Sequence, residues 1–409
     1  MGRRKNIFSK KLNDTSLLMS KQAAGNKKKA ASVTYQCNID TADMPELYKT
    51  AAIALTVLND TRHHGKINVI FTAGVKGAQE LPDKYLDSDN FIALTERAQP
   101  RLFTGSAAMA EYRIRKPLTR RAPEGTRAFR ISISGCMGGD SSERDVRHVN
   151  PIRKIGDILN SCRDDGLVIE IADFNGGEAA NDYPQSASCT LVINSSEAGK
   201  LQTKLENARD SYVEDNLKNE PEMKVAVSEV PVPDRVLSSA DTSSVMNLMY
   251  TMKNGVYARS RDEENKGTIT ALANIGTIST RGSELNIGIF VRSTDSRVFK
   301  EMATTYDELA GLSDAHFKVV STVPNWPLKS PEEDPLAESL ILAGKQCDLT
   351  LDPSATFMQN VGAIFYSKKK DLNIVMIGVT MTNILDITKT FVTFNESLVN
   401  NENSNKITQ

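Results

Sequence analysis

The sequence predicts an α/β protein, on three observations. Helical periodicity over Leu47, Ala51, Leu55 and Leu58 runs straight into the apolar stretch 67–71, a helix followed by a buried strand. Strict alternation of Phe129, Ile131 and Ile133 with Arg130, Ser132 and Ser134 marks a strand in a sheet with one covered face. Both patterns recur along 409 residues, long enough for two domains or a domain carrying a large insertion.

Residues 1–30 carry nine Lys/Arg (Arg3, Arg4, Lys5, Lys10, Lys11, Lys21, Lys27, Lys28 and Lys29) against one acid, Asp14. Residues 1–43 are therefore expected to form a basic, disordered tail, because low hydrophobicity and high local charge do not repay the entropy of ordering. An organelle-targeting or anion-contacting arm is the alternative. The stretch has no apolar run of the kind a secretory signal needs, and Asn6 stands where a myristoylation motif after Gly2 wants Ser or Thr.

From Pro45 the first helix begins, with proline in the first turn where its missing N–H is tolerated. A helix at 151–163 and strands at 167–171 and 189–193 follow the strand at Phe129, and Asn194 with Glu197 three residues on opens a long amphipathic helix. Val-Pro-Val-Pro-Asp at 230–234 cannot continue a helix and reads as a linker. A second, similar unit then runs helix (243–252), strand (268–278), strand (285–291), helix (297–312) and strand (317–323). A helix at 335–344 and a strand at 374–379 return to buried α/β character, and the Asn-rich residues 396–409 are expected to be a disordered tail.

Lys+Arg at 50 against Asp+Glu at 51 gives no reason to expect nucleic acid or an anionic membrane as the main partner, so nucleic acid enters only through the basic tail. No stretch approaches the roughly 18 consecutive apolar residues of a membrane span. Cys37, Cys136, Cys162, Cys189 and Cys347 are scattered and odd in number, which implies free thiols in a reducing, intracellular compartment, the cytoplasm first.

Residues 131–140 read Ile-Ser-Ile-Ser-Gly-Cys-Met-Gly-Gly-Asp and residues 171–184 read Ile-Ala-Asp-Phe-Asn-Gly-Gly-Glu-Ala-Ala-Asn-Asp-Tyr-Pro. Together these resemble the aminoacyl-histidine dipeptidases, dizinc peptidases of the carboxypeptidase/aminoacylase type. The similarity continues in order through Asn274-Ile275-Gly276, Val291-Arg292-Ser293 and Pro324-Asn325-Trp326. The resemblance implies a zinc-peptidase-like α/β catalytic domain, truncated at its N-terminal end, with an inserted α+β lid domain of two ferredoxin-like halves. It maps the catalytic remnant to 44–127 and 323–395 and the lid to 128–322, with halves at 128–230 and 236–322.

A dizinc peptidase needs metals about 3.5–4 Å apart, held by about five His or carboxylate ligands beside a Glu base. The resemblance implies where these groups would stand, and this sequence departs from the family pattern at nearly all of them. The first ligand motif, His-x-Asp, falls in the stretch the chain lacks, and no His precedes His63. The bridging Asp falls near Glu46, a tolerable replacement, although a Glu at a helix start is also favoured by the helix dipole. The Glu-Glu pair of base and ligand becomes Val75-Lys76.

A later Asp ligand becomes Thr95, whose neutral hydroxyl does not offset a metal's charge, and neighbouring Glu96 points to the other face of a strand. Gly-Gly-His-Ser-Gly-Gly, whose His stabilises the oxyanion, reads Gly138-Gly139-Asp140-Ser141-Ser142-Glu143, and an anion there repels that charge. The final His ligand falls at Phe357. The four His take none of the metal positions: His63 and His64 fall in a surface turn, His148 in a lid loop and His316 before a lid strand.

No catalytic residue, zinc or other cofactor is therefore expected. Asn175, Asn181 and Arg292 remain at positions that in the family help bind substrate, Arg292 resembling the clamp for a terminal carboxylate, although an Arg ending a strand is as readily an ion-pair partner. The leading reading is a non-catalytic pseudopeptidase, a structural or protein-binding subunit that retains at most a small peptide or amino-acid carboxylate. Two others stay open: an altered metal-dependent hydrolase using Asp140, Glu143 or Glu96, and a component touching RNA or another anionic surface through the tail. Because missing strands leave a sheet edge to be covered, a protein partner or homo-oligomer is expected.

Overall fold

The structure is a computed structural model describing residues 7–23, 30–39, 44–62, 64–96, 100–141, 148–216, 218–261, 266–329, 333–351, 353–356, 361–379 and 382–405. The chain divides into two compact units, Met1–Ala107 with Val323–Gln409, and Ala108–Thr322. Both are mixed α/β.

The first unit opens with strands β1 (Ile7–Asn13), β2 (Ser16–Lys21) and β3 (Val33–Ile39), helix α1 (Met44–Asn59) and strand β4 (Ile67–Ala73). Helix α2 (Gly74–Glu80) and strands β5 (Asn90–Glu96) and β6 (Arg101–Ser106) follow. This corrects the expectation of a disordered tail over 1–43 at β1, β2 and β3; residues 1–6, 24–29 and 40–43 lie outside the described residues. The basic count hides an alternation: Ile7 and Met19 pack against one core of the unit while Leu12 and Leu18 pack against another. The β1–β2 hairpin lies antiparallel on β4, so Lys10 and Lys11 stand exposed on an outermost strand, where charge discourages further pairing. In β3, Val33, Tyr35 and Cys37 point into the core, and the strand runs parallel to both β4 and β5.

The second unit begins with β7 (Ala108–Pro117), β8 (Arg120–Arg121), β9 (Arg127–Ser134) and β10 (Gly139–Asp140), then α3 (Pro151–Asp164). It continues with β11 (Glu170–Gly176), β12 (Asp182–Tyr183), β13 (Ala187–Ile193), α4 (Ser195–Asn216) and β14 (Lys224–Val230). After the proline-rich linker come β15 (Val236–Leu237), α5 (Ser239–Thr251), β16 (Gly255–Arg259), β17 (Ile269–Ser279), β18 (Glu284–Ser293), α6 (Ser296–Leu312) and β19 (His316–Val323).

One sheet of nine strands, ordered β14-β9-β13-β11-β17-β18-β7-β19 with β16 beside β17, runs through the whole unit. The unit therefore starts at Ala108, not at residue 128, because β7 pairs along its full length with β18. The segments before and after the linker share this sheet through Asn175↔Ser279 and Gly176↔Ile278. The predicted alternation in β9 holds: Phe129, Ile131 and Ile133 enter a core with Ile152, Ile155 and Leu159 of α3, while Arg130 and Ser134 are exposed. Asn150 caps α3 by accepting from Arg153 N, and Asp295 caps α6 by accepting from Arg297 N and Val298 N.

The first unit resumes with α7 (Pro335–Lys345), β20 (Pro353–Thr356), α8 (Val361–Lys368), β21 (Ile374–Val379) and α9 (Ile384–Asn405). Its eight-stranded sheet is ordered β1-β2-β4-β3-β5-β21-β6-β20. Every residue of β21, which runs parallel to β5 and antiparallel to β6, is buried, as a central strand covered on both faces requires. Helix α9 runs to Asn405, which corrects the expected disordered tail over 396–405, because Phe391, Phe394 and Val399 continue a buried stripe and Asn395 accepts from the Tyr35 hydroxyl at 3.0 Å; residues 406–409 lie outside the described residues. Among the described residues no helix is long and apolar enough to cross a membrane, and all five cysteines are free.

Candidate functional site

In the second unit the residues that drew notice in the sequence gather around Arg292 on β18, whose side chain is 1% exposed. Its Nη1 donates to Ser141 Oγ at 2.6 Å and its Nη2 to Asp140 Oδ1 at 2.9 Å. The guanidinium lies over the Phe290 ring at 4.4 Å, while Nε is buried without a hydrogen-bond partner. Burial lowers the basicity of Arg292, and the Asp140 carboxylate acts in the opposite sense. The arginine is thus no surface ion-pair partner: a guanidinium taken out of water requires an anion, and Asp140 supplies it.

Asp140 is positioned by a two-stranded ribbon in which β10 pairs with β12 through Gly139↔Tyr183 and Asp140↔Asp182. The Ser141 amide and hydroxyl both donate to the Asn181 carbonyl, at 2.9 and 2.6 Å. Asn181 therefore joins the cluster through its backbone. The Asp182 carboxyl is held above its ordinary range by burial and, after that, by the charge of Asp140, with Arg292 pulling the other way. Asn175 has different partners: its Oδ1 accepts from Ser279 Oγ at 3.2 Å and its amide lies 3.5 Å from Asp173 Oδ1.

The Asn-Gly-Gly and Asn-Ile-Gly segments serve the backbone. Gly177 has φ +71°, and a Cβ there would sit 1.8 Å from the Gly276 carbonyl oxygen, so two chain segments touch main chain to main chain. Asn274 fixes the same turn by donating from Nδ2 to the carbonyls of Ala180 (3.0 Å) and Asp182 (2.8 Å). Sequence reasoning missed Ser141, Asp182 and Glu220. The Glu220 carboxylate is buried and accepts from the amides of Met137 (2.7 Å) and Val149 (3.1 Å), the two ends of the loop that carries Asp140.

In the first unit, Glu46 lies in the first turn of α1 and Val75 in the first turn of α2; only their backbones are described. Lys76 is exposed, its Nζ 3.7 Å from Glu80 Oε1 one helical turn on. Thr95 is half-buried near the end of β5, opposite Gly378 of β21. Phe357, Ser142, Glu143 and His63 lie outside the described residues. His64 corrects the surface-turn expectation: it is buried, with Nδ1 2.6 Å from the Gly65 carbonyl oxygen.

His148 stacks on Tyr183 at 5.3 Å with Nδ1 3.7 Å from Glu220, and His316 is exposed at the start of β19. Among the described residues no group of three or more His, Cys, Asp or Glu gathers to hold a metal. Of the residues that stand at the positions the resemblance assigns to base and metal ligands, Glu46, Val75, Lys76, Thr95 and Phe357, Glu46 alone is a carboxylate.

The chain is 22% identical over 281 residues to the cytosol non-specific dipeptidase of Escherichia coli (strain K12), across 67% of this chain. It is a homologue of that dipeptidase. The chain spans 58% of the length of this curated relative. The fold of the dipeptidase homologue matches that of aminoacylhistidine dipeptidase from Vibrio alginolyticus, with a TM-score of 0.78 and 18% identity over 96% of this chain and 89% of that one. No family model matches it.

Proposed function

We propose that this dipeptidase homologue is non-catalytic and acts as a structural or protein-binding subunit. The observation that carries the reading is Lys76: in the first turn of α2, just beyond β4, where the resemblance puts a carboxylate, stands an ammonium 3.7 Å from Glu80. An ammonium has no lone pair to offer a metal ion, whereas a carboxylate brings both lone pairs and compensating charge. Thr95, which brings no charge, and Asp140, which is engaged with Arg292, support the same reading. Groups of a catalytic site act as a unit, so the loss of several together removes turnover rather than tuning it. The relative's name places it in the cytosol, and we assign this chain the same compartment.

The test is metal content of the purified, tag-free protein by mass spectrometry, with hydrolysis of Xaa-His dipeptides measured on the same sample. The expected outcome is substoichiometric zinc and turnover no higher than a heat-denatured control. Homology to an enzyme favours a second reading, a dipeptidase with a rebuilt site. Near-stoichiometric zinc together with turnover abolished by a chelator would establish it and overturn the first.

A further inference from the structure

We propose that Asp140 is a built-in ligand: it fills, from within the chain, a carboxylate-binding site that the buried guanidinium of Arg292 offers above the Phe290 ring. Arg292 is 1% exposed, and two of its nitrogens are committed to neighbours on one short ribbon, Asp140 at 2.9 Å and Ser141 at 2.6 Å. Its third nitrogen, Nε, has no hydrogen-bond partner, so among the described residues the guanidinium's hydrogen bonds go to this ribbon alone. Phe290 closes one face of the cation. Asp182 is the second carboxylate nearby, but among the described residues it is Asp140 whose oxygen lies in direct contact with the guanidinium.

The ribbon that presents Asp140 is itself fastened, at Ser141 to the Asn181 carbonyl and at the loop ends to the Glu220 carboxylate. A preorganised, permanently attached carboxylate outcompetes a dissolved one through effective concentration. The side chain of Asp140 is 34% exposed, so the position it occupies is open to solvent once it is removed. The wild-type chain therefore excludes small carboxylates from Arg292, and truncating Asp140 opens the site to them. Formate, the fragment removed by Asp140→Ala, is the matching probe.

The inference goes beyond the non-catalytic reading and is tested by stability, which zinc content and dipeptide turnover do not report. Thermal melts of the full chain are compared for wild type, Asp140→Ala and the double variant Asp140→Ala/Arg292→Met, in sodium formate and in sodium chloride of equal ionic strength. Asp140→Ala is expected to melt lower than wild type and to regain about 2–4 °C in formate. Wild type and the double variant are expected to respond alike to the two salts. If Asp140→Ala does not fold, recovery of soluble protein on refolding in formate but not in chloride supports the proposal, and no recovery in either overturns it. An Asp140→Ala protein as stable as wild type, or a formate gain that survives in the double variant, also overturns it.

Discussion

Asp182 sits beside Asp140 and Arg292, and its raised proton affinity has a direct consequence for stability. Burial and the charge of Asp140 disfavour its ionised form in the folded chain, while Arg292 only partly offsets them. A carboxyl whose folded pKa lies above its unfolded value binds more protons in the folded state, so stability falls as pH rises between those two values. The penalty is fully present above the folded pKa and absent below the unfolded one, near about pH 4. Asp182→Asn, which preserves an acceptor for Asn181 Nδ2, is therefore expected to melt higher than wild type at pH 7, with the gain vanishing as the pH approaches about 4. Equal melting temperatures at pH 7 would contradict this. Arg292 and Asp140 each stood out in the sequence, but they lie 152 residues apart and only the sheet unites them. No periodicity reports such a pair, which is why Asp140 reads in isolation as a group hostile to an oxyanion and in the fold as the counter-ion of a buried arginine.

At the scale of elements, the loop from β9 to α3 is held at both ends by one side chain. Glu220, buried just after α4, accepts from Met137 N and Val149 N, two amides on opposite ends of the loop. Glu220→Ala leaves the half-buried Met137 amide and the buried Val149 amide without their acceptor and is expected to cost about 2 kcal/mol, measured by urea unfolding with an unchanged m-value. A loss within experimental error of zero would mean that the loop is held by its other contacts. Nothing in Asn219-Glu220-Pro221 marks this carboxylate, which reads as a solvated charge in a turn.

Strongly periodic elements were legible: β9 from its alternation, α6 from a helical run that the Asp295 cap confirms, and β21 from its unbroken apolar stretch. The hairpin β1–β2 was not. Its lysines lie on an outermost strand, whereas a tally of charge over the whole segment cannot tell an edge strand from a solvated coil. The first boundary of the second unit was missed for a related reason: β7 follows β6 after a single residue, Ala107, and only its pairing with β18 shows which sheet it joins.

At the scale of the whole molecule, the second unit is one uninterrupted stretch of chain whose ends meet. Ala108 opens β7, β19 is its neighbour in the sheet, and Thr322 Oγ1 donates to the Met109 carbonyl at 3.2 Å. The first unit has its own closing bonds, Ser106 N to Trp326 O at 2.8 Å and Trp326 N to Ser106 O at 3.3 Å. Ala108–Thr322 also encloses its own core, in which Tyr112, Phe129, Phe174 and Tyr306 are fully buried among the aliphatic residues of β9, β13, β17 and α3. Adjacent termini and a private core are what an independently folding segment requires. A fragment of residues 108–322 is therefore expected to be soluble, to show mixed α/β circular dichroism and to unfold in one cooperative, reversible thermal transition. A broad, non-cooperative melt with strong binding of an apolar dye would show instead that the nine-stranded sheet depends on the rest of the chain.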